Sequence, residues 1–266
     1  MSDLSKRLPT TAMLVVFAYL AIRFLPPPAF SALLFVIITL GGLELATLTG
    51  LPRRAVPLMA VAGLAVALPF TFPAIPLAPS LAAATMLLGL YFLLTVRTPE
   101  RLASFPREFG ILALAVLYLY LPLYFLLDLQ ARGANTLFFL IFVVAIGDSG
   151  AYFVGRPLGR HKIYPLASPK KSLEGLIAAI LTAGLAGYIS IRLFPVAVSP
   201  LVAILTGAVT GLFSQLSDPV ESLFKRAAGK KDSGTLLPGH GGVLDRMDSY
   251  VFCAPLLSAI VTLCWH

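Results

Sequence analysis

Apolar residues run along this chain in long unbroken stretches instead of alternating with polar ones. The stretches occupy 8–25, 29–48, 55–72, 79–96, 109–127, 135–154, 173–193, 197–216 and 249–265. A helix rising about 1.5 Å per residue needs roughly 20 apolar residues to cross a bilayer core of about 30 Å. The pattern therefore predicts an all-α polytopic membrane protein of about nine transmembrane helices. Continuous runs also argue against a transmembrane barrel, whose strands alternate inside and outside positions. Proline-rich joints such as 26–28 and 72–79 read as short turns. The expectation is one integral membrane unit over 1–266. Its N-terminal spans fill 8–127, and the C-terminal spans and loops of 135–266 carry the chemistry. The first run follows Lys6 and Arg7 and is followed by Arg23 and Pro26 without a small-residue cleavage site, so it reads as a retained helix.

Composition agrees: 58% of residues are apolar, 12% are charged, and the mean hydropathy is +0.91, values that exclude a water-soluble globule. With nine spans, 17 of the 20 basic residues fall on one side of the membrane, and only Arg23, Arg132 and Arg192 fall on the other. This asymmetry predicts that the basic side is cytoplasmic, at the cell (inner) membrane. Such a topology, with anionic lipid headgroups as partners, accounts for the net charge of +8, and no nucleic-acid partner is expected. Cys253 and Cys264 lie in the last apolar run and read as small hydrophobes.

Polar chemistry is confined to two stretches, 147–175 and 217–250. In the second, Asp218, Glu221, Ser222 and Lys225 recur at i, i+3, i+4 and i+7, which on a helix makes one stripe of two carboxylates, a hydroxyl and an ammonium. Pro219 also suits the first turn of a restarted helix capped by Asp218, and the pattern leaves both readings open. Asp245 and Asp248 share a helical face at the start of the last span, where ionisable groups are costly and usually functional. All-oxygen carboxylate sets favour a hard divalent cation such as Mg²⁺ over zinc. Between the pairs lie Lys230, Lys231, Asp232 and the run Pro238-Gly239-His240-Gly241-Gly242, whose backbone amides and histidine suit an anion, as does any flexible loop that merely needs glycines. In the first stretch Asp148 sits inside an apolar run and needs a partner. Ser149 and Ser168 add hydroxyls, and Lys170 and Lys171 form a cationic pair. His161 reads as a solvated loop residue. Glu44, beside Gly41 and Gly42 in the second run, needs an internal partner, for structure or for the site.

The residues Ser222, Lys225, Arg226, Lys231, Asp232, Gly234, Leu237, Pro238, His240, Gly241, Gly242, Asp245, Arg246 and Asp248 span 27 positions. In type and spacing this set resembles the signature of the phosphatidate cytidylyltransferase family. Asp148, Ala151, Tyr152, Gly155, Ser168, Pro169, Lys170, Lys171, Glu174 and Gly175 resemble the family's other polar block, and Glu44 its early-span acid. Ser217-Asp218-Pro219 departs from the Gly-Asp-Leu of many relatives but keeps the aspartate. The resemblance implies transfer of a cytidylyl group from CTP to phosphatidic acid, giving CDP-diacylglycerol and pyrophosphate with Mg²⁺, and it allows a second, monovalent cation such as K⁺. It assigns metal binding to Asp218, Glu221, Asp245 and Asp248. Catalytic roles fall to Lys225, Arg226, Asp245 and His240. Substrate binding falls to Asp148, Ser149, Ser168, Lys170, Lys171, Ser222, Lys231, Asp232, Gly241, Gly242 and Arg246. The alternatives are a CTP-dependent enzyme acting on a polyprenol or ether-lipid phosphate, and an anion transporter, although no internal repeat of the transporter kind is visible. Gly207-x-x-x-Gly211 permits close helix packing within one chain or across a homodimer.

Overall fold

The computed structural model describes residues 3–52, 55–72, 74–234 and 241–265. Their helices, in chain order, are α1 (Asp3–Phe24), α2 (Pro27–Thr49), α3 (Ala55–Thr71), α4 (Leu77–Thr95), α5 (Pro99–Ala131), α6 (Ala134–Leu158), α7 (Leu173–Leu193), α8 (Pro200–Ala227) and α9 (Leu244–Cys264). Seven of them, α2 and α4 to α9, are long and apolar enough to cross a membrane. The apolar parts of the other two are shorter, Val15–Phe24 and Ala55–Phe70. At 17 residues, α3 is about 25 Å long, which falls short of a bilayer core. The expected nine full crossings are therefore seven full-length apolar helices and two short ones among the described residues.

Two boundaries differ from the sequence expectation for identifiable reasons. Helix α8 does not stop at 216: it runs through Pro219 to Ala227, so Asp218 lies inside a helix and caps nothing. Helix α9 begins at Leu244, which places Asp245 and Asp248 in its first two turns. In each case polar residues extend a helix beyond its apolar part, and hydropathy alone does not register them.

The exterior is apolar, with Met86, Leu93, Leu181, Leu201 and Leu263 each well exposed, as expected of a surface facing lipid. Inside, α6, α7 and α8 form the tightest unit, built on small residues. Gly155 faces Gly175, and a Cβ at either would lie 3.2 Å from the other's Cα. A Cβ at Gly207 would run into the Ala183 carbonyl, and one at Gly211 would lie 2.9 Å from the Ala179 carbonyl. The Gly207–Gly211 motif is thus used within the chain, against α7, where backbone proximity supplies the van der Waals contact that drives helix association in lipid. Helix α8 carries a buried polar line, Thr206, Thr210, Ser214, Ser217, Glu221 and Lys225, spaced three or four residues apart. That line leads from the middle of the bundle to the site.

Candidate active site

Helix α8 supplies the centre of the site. Proline lacks an amide hydrogen, so Pro219 cannot bond the carbonyl four residues earlier. That carbonyl, of Gln215, accepts instead from Lys171 Nζ at 3.0 Å. The same ammonium pairs with Asp218 at 2.9 Å. A proline in the middle of a helix thereby fixes a cation from the loop between α6 and α7 at the edge of the carboxylates. Lys170, next in sequence, is exposed, and its carbonyl accepts from Lys162 Nζ at 3.4 Å, so the two adjacent lysines diverge.

Asp218, Glu221 and Asp248 converge, each offering a carboxylate oxygen within 4.8 Å of the others. Glu221 is fully buried, and apart from the Lys225 ammonium lying against it, its oxygens accept no hydrogen bond. Buried carboxylate oxygens without donors are costly to maintain, and a bound divalent cation would compensate them. The donor set, all oxygen and closely spaced, fits such an ion. Helix α9 is held to α8 by Ser217, whose hydroxyl donates to the Asp248 carbonyl.

Asp245, expected among the metal ligands, is placed differently. One oxygen pairs with Lys225 at 2.7 Å; the other accepts from Ser233 N at 3.0 Å, Ser233 Oγ at 2.9 Å and Gly242 N at 2.8 Å. It organises the loop before α9 and holds Lys225, while Glu221 completes the carboxylate cluster. The Gly242 amide, expected to face an anion, points inward to Asp245. Lys225 is 7% exposed and lies between Glu221 and Asp245, so its charge is shared by two carboxylates.

Glu44 has the most distant partners. From α2 it reaches the start of α9, accepting from Val243 N at 3.0 Å and Leu244 N at 2.8 Å, and it lies 2.9 Å from Ser233 Oγ, whose one hydroxyl hydrogen it shares with Asp245. A carboxylate here satisfies helix-terminal amides that no side chain of α9 caps and favours the positive end of the helix dipole. A Cβ on Gly234 or Gly242 would run into this carboxylate. Glu44→Ala is expected to strip the cap, loosen the start of α9 and lower stability by about 1–3 kcal/mol. Gly242→Ala is expected to do the same by displacing Glu44. Thermal unfolding of the two purified variants checks this, and wild-type stability of either would show that the cap does not hold α9.

The remaining candidates are spread more widely. Asp148 accepts from Ser214 Oγ at 3.0 Å and Gln215 Nε2 at 2.6 Å, so neutral side chains of α8 provide the partner its depth requires. Ser149 donates to its own helix, at Ala145. Ser222 donates to Asp218 at 3.4 Å. The Ser168 carbonyl accepts from Lys171 N at 3.1 Å and shapes the turn that aims this lysine. Arg226 spans the two polar loops, donating to the Ala167 and Lys230 carbonyls. Lys231, Asp232 and Arg246 are exposed at the rim. His161 pairs with Glu174 at 2.7 Å. His240, with Pro238 and Gly239, lies outside the described residues. Sequence reasoning gave Glu44 no partner, because finding one needs contacts across about 200 positions.

Residues 5–264 match the model of the cytidylyltransferase family. Three relatives named phosphatidate cytidylyltransferase come from staphylococci. Those of Staphylococcus saprophyticus, Staphylococcus epidermidis and Staphylococcus aureus are 34%, 35% and 33% identical over 167 residues. That stretch is 63% of this chain and spans 64% of each relative's length.

Proposed function

Because the chain belongs to the cytidylyltransferase family, we propose that it is a membrane nucleotidyltransferase joining CTP to phosphatidate, with CDP-diacylglycerol and pyrophosphate as products. The observation that carries the reading is the convergence of Asp218, Glu221 and Asp248 with the ammonium groups of Lys225 and Lys171 at one end of the helices. A lipid phosphomonoester has a second pKa near 6 and is largely dianionic at neutral pH. It therefore needs no activated serine, cysteine or histidine. The difficulty is bringing this anion to the α-phosphorus of another and stabilising pyrophosphate as it leaves.

Asp218, Glu221 and Asp248 would hold Mg²⁺, which when bound neutralises triphosphate charge and acts as a Lewis acid. Lys225, positioned by Asp245, lies where negative charge accumulates. Lys171 leans on Asp218 and can release toward an incoming phosphate, with exposed Lys170, Lys231 and Arg246 drawing polyanions to the rim. Asp148 keeps Ser214 and Gln215 in place beneath it. The staphylococcal relatives bear the name of this activity, and the proposal extends it to this chain.

The test is turnover of labelled CTP by purified protein in detergent, with Mg²⁺, with and without K⁺, and with phosphatidate, a polyprenyl phosphate or an ether-lipid phosphate as acceptor. CDP-diacylglycerol formed with pyrophosphate is the expected result. Preference for another acceptor would reassign the lipid, and no CTP consumption with any acceptor would overturn the enzyme reading.

The site is further proposed to face the cytoplasm at the cell membrane. Single cysteines replacing exposed Leu166 and Lys230, in a chain with Cys253 and Cys264 changed to serine, are expected to react with an impermeant thiol reagent in inside-out vesicles only. Labelling in right-side-out vesicles would reverse the orientation.

A further inference from the structure

Helix α5 is not α-helical throughout: Val116–Tyr120 form a π-turn. One extra residue per turn shifts the following side chains by about 100° around the axis, and such irregularities concentrate at functional sites. Tyr118 sits at its centre, 6% exposed, and its buried hydroxyl has no hydrogen-bond partner. Its ring packs on Phe224 of α8, with centroids 5.8 Å apart and planes at 59°. Phe224 lies between Glu221 and Lys225 in the α8 register, one residue before the lysine. The phenol is within electrostatic reach of Glu221, Asp248 and Asp218, the same three carboxylates that converge.

Among the described residues, then, one neighbourhood holds a buried donor without an acceptor and a buried carboxylate that only the Lys225 ammonium approaches. Buried polar groups persist unpaired only where something offsets their desolvation. Lys225 meets only one edge of Glu221 and shares its single charge with Asp245, which leaves the carboxylate room for a second donor. We propose that Tyr118 is a positioning residue of the cation site: its hydroxyl donates to the Glu221 carboxylate and keeps it turned toward Asp218 and Asp248 when a divalent cation is bound. The inference rests on reading those three carboxylates as a cation site. A neutral donor suits the task. It fixes the carboxylate without cancelling the negative charge that attracts the ion, as a second ammonium would.

The experiment is thermal unfolding of the detergent-solubilised full chain against Mg²⁺ concentration, with bound Mn²⁺ counted by electron paramagnetic resonance. Tyr118→Phe keeps the ring on Phe224 and removes only the hydroxyl. Its unfolding temperature without cation is expected to match or exceed the wild type, while the half-saturating Mg²⁺ and Mn²⁺ concentrations rise about 10-fold or more. Tyr120→Phe is the control from the same π-turn: its hydroxyl meets Thr39 at 3.3 Å, and cation affinity should not move. In a Glu221→Gln background Tyr118→Phe should add nothing further. A wild type that no divalent cation stabilises would overturn the cation site and this inference with it. A wild type that is stabilised, with Tyr118→Phe half-saturating at the same concentration, would overturn this inference alone and leave Tyr118 as packing.

Discussion

Lys225→Met is expected to reduce turnover by about 10²–10³-fold, the usual loss when one positioned donor to developing negative charge is removed. It is also expected to destabilise the fold. The ammonium is buried between Glu221 and Asp245, and deleting it leaves fully buried Glu221 without the cation that compensates it and Asp245 without its ion pair. Breaking a buried ion pair from one side costs about 3–5 kcal/mol. Lys225→Arg should rescue little, because a planar fork does not replace a compact ammonium held between two acids. Exposed Arg192, outside both polar stretches, is the control, and Arg192→Met should remain active. Turnover and thermal unfolding of the purified variants separate the two effects. Near wild-type turnover of folded Lys225→Met would show that the α8 stripe serves structure only.

The double effect shows what the sequence could and could not convey. Hydropathy alone locates the apolar segments, since each membrane helix advertises itself over about 20 consecutive residues. The spacing of Asp218, Glu221, Ser222 and Lys225 likewise places them on one stripe, because they share one helix. What spacing cannot convey is which stripe faces which. Asp245 and Asp248 look equivalent in sequence, three residues apart, yet Asp245 turns back to the loop and Lys225 while Asp248 meets Asp218 and Glu221. The difference arises from Glu44, a carboxylate from α2 that fixes the start of α9 and so the rotation of that helix about its axis. Pro219 misleads in the other direction. A proline ordinarily marks a boundary, but the carbonyl it leaves unbonded is taken up by Lys171, and the helix continues. Tyr118 is invisible for a further reason: nothing in VLYLY distinguishes a π-turn from an α-helix.

Removing one member of the Asp218, Glu221 and Asp248 cluster is expected to weaken divalent-cation binding by at least about 10-fold or to abolish turnover. The more informative effect is on the cation-free protein. Three carboxylates offering oxygens within 4.8 Å of one another repel, and like charges in a low-dielectric site raise the folded state's energy. Asp248→Asn removes one of these charges while the backbone carbonyl that receives Ser217 remains. It should therefore leave the cation-free unfolding temperature unchanged or higher, while the stabilisation gained on adding Mg²⁺ falls. Asp218→Asn relieves the same repulsion but releases Lys171, so its cation-free stability should change less. Double variants should be little worse than single ones, because ligands to one ion act as a unit. Asp245→Asn is the contrasting case. It loses the charge that pairs with Lys225 and one of the two acceptor oxygens, its new amide NH₂ facing either the ammonium or the loop amides, so the cation-free protein should unfold earlier, with a half-saturating Mg²⁺ concentration close to wild type. The measurement is unfolding temperature and turnover against Mg²⁺ concentration for each variant. If Asp248→Asn destabilised the cation-free protein and left its Mg²⁺ dependence unchanged, the three carboxylates would be structural and the ion would bind elsewhere.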